Sequence, residues 1–122
     1  MSTPEVAVKA KVKALLKRHS AYHFMPATHG YGTSGVPDIV ACWRGQFMGI
    51  ECKAGKGKPT ALQLKHLRDI RDSLGIAILV DETGIGVLAL LIETFSKGVV
   101  LRGGFHNMTK HDVVIDYANE TD

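Results

Sequence analysis

The chain is 122 residues long with a formal net charge of +3. That length fits a single domain with a modest core. It contains no run of eighteen apolar residues to make a membrane-spanning helix and no secretory leader pattern, so a soluble, cytoplasmic protein is expected.

Charge is unevenly spread. Lys9, Lys11, Lys13, Lys17 and Arg18 face only Glu5 among residues 1–20, and residues 53–71 carry six cations against Asp69 alone. The last third is acidic. A basic first half is compatible with nucleic acid, although a solvated helix face is the plainer use of such runs. Cys42 and Cys52 are too few for a disulfide framework and read as reduced thiols.

In chain order, Thr3-Pro4 is an N-cap followed by proline at the first helical position. The helix it opens is predicted to end near His19, with Val8, Val12, Leu15 and Leu16 as its apolar stripe and Glu5 on the same side. Residues 20–26 read as a short strand with Tyr22, Phe24 and Pro26 on one face. A loop rich in glycine and hydroxyls, 29–35, leads to the apolar runs 39–43 and 47–50. Between these runs Arg44-Gly45-Gln46 reads as the turn of a β-hairpin. Residues 54–59 read as a flexible basic loop. Thr60 opens a second helix running to Leu74, with Gln63, Leu67, Ile70 and Leu74 in one stripe and Gly75 as its stop. Residues 76–80 read as a buried strand reached by a parallel crossover. A third helix is predicted over 86–95, then a short strand at 99–101, a Gly-Gly break and a polar tail. The fold class is α/β, a mixed sheet flanked by helices. One domain covers 1–122, with a core over about 4–80 and an additional helix and C-terminal segment over 81–122.

Two carboxylates mark the ends of the hairpin. Asp38, in Gly35-Val36-Pro37-Asp38, lies thirteen residues before Glu51, in Glu51-Cys52-Lys53. Side chains alternate along a strand, so Asp38, Val40 and Cys42 share one face, as do Phe47, Gly49, Glu51 and Lys53. A hairpin turning near Gly45 brings Asp38 opposite Glu51. Two carboxylates side by side repel unless something positive sits between them, and a hard divalent cation, Mg²⁺ or Mn²⁺, is the natural candidate.

Each residue also has a plainer use. Asp38 follows a proline, as turn residues do. Lys53 can serve as the ion-pair partner of a buried Glu51. Glu5 favours the helix dipole, and Gln63 completes a capping box with Thr60. The six histidines and two cysteines show no zinc spacing. Neither a serine nucleophile with its base nor a dinucleotide-binding glycine motif is present.

A Pro-Asp, a strand-turn-strand and a Glu-x-Lys, followed by the helix opened by Thr60-Ala61-Leu62-Gln63, resembles the VRR-NUC branch of the PD-(D/E)xK nuclease superfamily. The resemblance covers residues 5–80. It implies a restriction-endonuclease-like core, α-β-β-β-α-β, and a Mg²⁺- or Mn²⁺-dependent deoxyribonuclease. Asp38, Glu51, Lys53 and Gln63 would be its catalytic residues, and Glu5, Asp38, Glu51 and the Cys52 carbonyl its metal ligands. Small stand-alone members occur in phages and bacteria and are similar to Holliday-junction resolvases. The resemblance therefore implies a bacterial-cell cytoplasm, branched DNA as substrate and a homodimer with two active sites. Lys56 and Lys58, just past the motif, and His29, Tyr31 and Ser34, just before it, would contact DNA. The apolar run 85–95, helped by 99–101, is expected to form the dimer interface. A nucleic-acid-binding module that does not cleave, or an interaction protein using its acidic tail, are the alternatives on the same fold.

Overall fold

The computed structural model describes residues 3–27, 32–98 and 102–113. Its elements are α1 (Pro4–Arg18), β1 (Tyr22–Phe24), β2 (Ile39–Trp43), β3 (Gln46–Cys52), α2 (Ala61–Asp72), β4 (Ile76–Val80), α3 (Ile85–Ser96) and β5 (Gly104–Met108). The strands lie in the order β1-β2-β3-β4-β5. The first three are antiparallel neighbours, and β3, β4 and β5 run parallel. The protein is thus α/β, with a mixed five-stranded sheet flanked by three helices, as expected of a restriction-endonuclease-like core.

Local chemistry sets the boundaries. Thr3 caps α1 by accepting a hydrogen bond from the Val6 amide at 3.1 Å. Arg44 and Gly45 both take positive φ, 50° and 81°, and Trp43 pairs with Gln46. The hairpin therefore closes on a two-residue turn of the type whose twist matches the strands, and Gln46 belongs to β3 rather than to the turn. Helix α2 ends differently from expectation. Leu74, not Gly75, adopts the left-handed conformation (φ 69°), and its side chain is exposed rather than in the buried stripe. Gly75 is needed for space, because a Cβ there would lie 2.9 Å from Ile70 Cγ2 and 3.2 Å from Phe47 Cδ1.

The sheet has apolar cover on both faces. On one, α1 and α3 bury Val8, Val12, Leu16, Leu88 and Ile92 against Ile39, Ile50 and Ile78. On the other, α2 places Leu64, Leu67 and Ile70 over Ala77, Leu79 and Phe105. Helix α2 packs on β3, β4 and β5, and among the described residues no helix covers β1 and β2 on that face.

The stretch expected to be a polar tail forms β5, with Phe105 and Met108 buried. The strand expected at 99–101 lies outside the described residues. Buried Asp81, at the end of β4, ties β5 down. Its amide donates to Met108 O at 3.2 Å, and its carboxylate accepts the Thr83 amide at 2.8 Å and the Lys110 amide at 3.0 Å. Burial alone would raise the Asp81 pKa, but these hydrogen bonds outweigh it and hold the carboxyl below its ordinary range.

A depressed folded-state pKa gives stability that is present above the unfolded value, about 4, and is lost as pH falls through the folded value. Asp81→Ala is therefore expected to cost about 2–3 kcal/mol at pH 7 by orphaning buried amides. The gap from wild type should narrow below about pH 4. Urea denaturation at pH 7 and pH 3 measures it; an equal gap at both would show that the charge contributes nothing.

Candidate metal centre

The hairpin register Ile39↔Ile50, carried one residue further, sets Asp38 opposite Glu51. Three contacts fix Asp38 there. Pro37 is buried against Gly49, where a Cβ would lie 3.0 Å from Pro37 Cγ and 2.5 Å from Ile70 Cδ1. The Cys52 amide donates to Asp38 Oδ2 at 2.8 Å, and Lys9 Nζ lies 3.4 Å from Asp38 Oδ1. Glu5, on the first turn of α1, completes a cluster in which carboxylate oxygens of Glu5, Asp38 and Glu51 all lie within 4.8 Å of one another. Lys53 Nζ stands 3.9 Å from Glu5 Oε1.

Glu51 is the exceptional member. It is 1% exposed, and neither of its oxygens has a hydrogen-bond partner. Burial, then the adjacent Asp38 carboxylate, push its pKa up to about 9; Lys53 pulls the other way. Such a carboxylate at neutral pH is satisfied by a proton or by a cation. Three convergent carboxylates, one of them with both oxygens unsatisfied, form a hard, all-oxygen donor set of the kind that suits Mg²⁺ or Mn²⁺.

The remaining expected site residues divide. Gln63 accepts the Thr60 amide at 2.9 Å while its own amide donates to Thr60 Oγ1 at 3.1 Å, so the capping box forms. Gln63 also lines a 420 Å³ cleft with Lys9, Ser34 and Asp38, to which it can offer its NH₂ group. Ser34 sits on the cleft wall, held by a hydrogen bond from His66 Nε2 to its carbonyl at 2.9 Å. Cys52 contributes the amide that holds Asp38. Its thiol lies in the core, where burial pushes its pKa far up, so sulfur is no ligand here. Lys56 and Lys58 are exposed on the loop after β3, outside the cleft wall. That loop is not free as expected. Gly55 donates its amide to the Glu82 carboxylate at 3.2 Å, and its carbonyl accepts from His111 Nε2 at 2.6 Å. His29 and Tyr31 lie outside the described residues. Lys9, which in the sequence is one cation of a basic run, also belongs to the site, and its i, i+4 spacing from Glu5 is the signal the sequence carries.

Compared with models of known protein families and with curated proteins, the chain matches none.

A raised folded-state pKa contributes stability that is full below the unfolded value and lost as pH rises through the folded one. In chelator, stability should therefore fall between about pH 4.5 and pH 9. Relative to wild type, Glu51→Gln is expected to gain about 3 kcal/mol from pH 4 to pH 7. Thermal unfolding across that range tests it; parallel pH profiles for the two proteins would contradict the burial of a chargeable Glu51.

Proposed function

We propose that this chain is a metal-dependent DNA endonuclease that hydrolyses phosphodiester bonds, with branched DNA such as a Holliday junction as substrate. The observation that carries the reading is Glu51, a fully buried carboxylate with both oxygens unsatisfied, facing Asp38 and Glu5 beside a lysine. As an ion-pair member alone it would need a cation in contact, and Lys53 is instead directed to Glu5. The sequence resemblance supports the choice of phosphodiester hydrolysis and of branched DNA.

Glu5, Asp38 and Glu51 would hold Mg²⁺ or Mn²⁺, which supplies Lewis acidity, activating water and offsetting charge on the phosphoryl group. The chain's own residues do the rest. Asp38 is kept in place by the Cys52 amide and Pro37. Lys53, half-buried at the cluster, can donate a hydrogen bond to a phosphoryl oxygen where charge grows in the transition state. Gln63 and the 34–37 loop bound the cleft and orient the strand, while Lys56 and Lys58 are free to meet flanking phosphates.

Cutting both strands of a four-way junction symmetrically needs two such sites, and we infer a two-fold homodimer. The interface expected along 85–95 is narrower than the sequence suggests. Leu88, Ile92 and Phe95 are core, Leu91 is half-buried against it, and only Val87 and Leu90 stay exposed.

Incubation of the protein with supercoiled plasmid and a synthetic four-way junction tests the reading. EDTA should abolish cutting, and Mg²⁺ or Mn²⁺ should restore it; full activity in chelator would end the metal assignment. Lys53→Ala is expected to lower the rate roughly 100-fold or more while DNA binding in Ca²⁺ changes far less. An equal fall in both would make Lys53 a phosphate anchor. Leu90→Glu should give monomers by sedimentation that nick plasmid without resolving junctions. A wild type that is monomeric at micromolar concentration, with and without junction, overturns the dimer.

A further inference from the structure

The face of the sheet that carries Asp38 and Glu51 continues, uncovered by α2, across β1, β2 and the start of β3. The register aligns the residues there in rows. Phe24, Val40 and Gly49 form the row next to the carboxylates, and Tyr22, Cys42 and Phe47 form the one beyond. Tyr22, Phe24 and Phe47 are 69%, 47% and 46% exposed. The Tyr22 and Phe24 rings lie 6.2 Å apart and are tilted to one another. Beside Phe47 opens a 360 Å³ groove with Ile70 and Gly75 in its wall and His66, Asp69 and Ser73 contributing polar groups. His66, in the wall of this groove, contacts the carbonyl of Ser34, which lines the cleft beside Asp38.

We propose that this aromatic face stacks the unpaired bases of the strand being cut, so that the enzyme selects DNA with a single-stranded or splayed segment next to the scissile phosphate. The proposal rests on the nuclease reading for the identity of the strand. Four observations favour nucleobases as the occupant. The uncovered large side chains here are aromatic, and bases of any sequence stack on aromatic rings. The exposed aliphatic residues Val6, Leu62, Leu74, Val87 and Leu90 sit on or beside helices instead, and Met25, just after β1, lines the cleft beside Asp38. The rows are two residues apart along each strand, about 7 Å, and so about twice the 3.4 Å step of stacked duplex bases. A ring on either row meets a base face only where that base is drawn out of the duplex stack. A cation, Lys9, stands at the cleft end of the surface, where a polyanionic strand running along it would enter the site. The groove beside Phe47 offers apolar walls and polar groups for one base turned off the surface.

Fluorescence anisotropy in chelator, where nothing is cut, tests this with labelled single-stranded and blunt duplex oligonucleotides of equal length. Wild type should bind the single strand. Tyr22→Ser and Phe47→Ser, both surface changes checked for folding by circular dichroism, should each weaken single-strand binding by about 10-fold. Duplex binding should change by less than about 3-fold, and Phe47→Trp should keep single-strand binding. Equal losses on both DNAs, no loss, or no single-strand binding by wild type would overturn the proposal. So would a dimer that Tyr22→Ser splits into monomers in sedimentation, since the face would then belong to a second copy. The outcomes stay separable from the nuclease reading. A protein that stacks single strands but never cuts with Mg²⁺ retains this surface and loses that reading. One that cuts while both variants bind like wild type loses only the surface.

Discussion

Glu51 occupies the last turn of pleat in a central strand, sealed from water, with no donor to answer either oxygen. A buried charge left this way costs several kcal/mol, so the group must take up a proton or a cation. The geometry around it follows from that constraint. Gly49 has no side chain, which lets Pro37 and Ile70 close over β3 and bring Asp38 alongside. The Cys52 amide holds Asp38 in that position. The first two turns of α1 contribute both a carboxylate, Glu5, and an ammonium group, Lys9. A polar cluster of this size would be a liability if it were only structural, because replacing it with apolar groups would pack as well without the desolvation cost.

Much of this was legible in the chain itself, because period-two alternation and a Gly-containing turn determine a hairpin with little ambiguity. Once Gly45 is placed in the turn, the opposition of Asp38 and Glu51 follows from counting. The caps at Thr3 and Thr60 are equally local, and both helices begin where the sequence indicates. What escaped reading depends on distant parts of the chain. The segment Gly104–Met108, with Gly, His and Asn among its five residues, has little strand propensity, and it becomes β5 because the edge of β4 and the carboxylate of Asp81 offer it partners. Asp81 itself looked like one acid among several in an acidic region. Lys9 looked like one lysine in a solvated basic run, and only the docking of α1 brings it to Asp38. The end of α2 was misjudged for a similar reason. Gly75 suggested a conformational role, but its lack of a side chain matters to Phe47 and Ile70, and Leu74 bears the unusual backbone angle.

The C-terminal third is part of the site's support rather than an appendage. Glu82, which is paired with Lys110, accepts the Gly55 amide, and His111 contacts the Gly55 carbonyl. The loop that follows Lys53 is thereby fastened to the turn after β4 and to the residues after β5. Lys53 gains rigidity from this at its C-terminal side, while its own amide donates to Val80 O at 2.9 Å.

The lysines beside the carboxylates have a consequence for the order in which the site is assembled. With Glu51 protonated, Glu5 and Asp38 are balanced by Lys9 and Lys53, and the cluster is close to electrically neutral. A polyanionic strand can approach it without repulsion before any metal is present. Under the proposed reading, a divalent cation held by Glu5, Asp38 and Glu51 would compete with the same two ammonium groups for the same oxygens and would require Glu51 to give up its proton. Lys9 and Lys53 would then be freed towards the cleft, where, on that reading, the phosphates of the substrate would be their alternative partners. Metal loading and substrate grip would then reinforce one another through two side chains that exchange one anion for another.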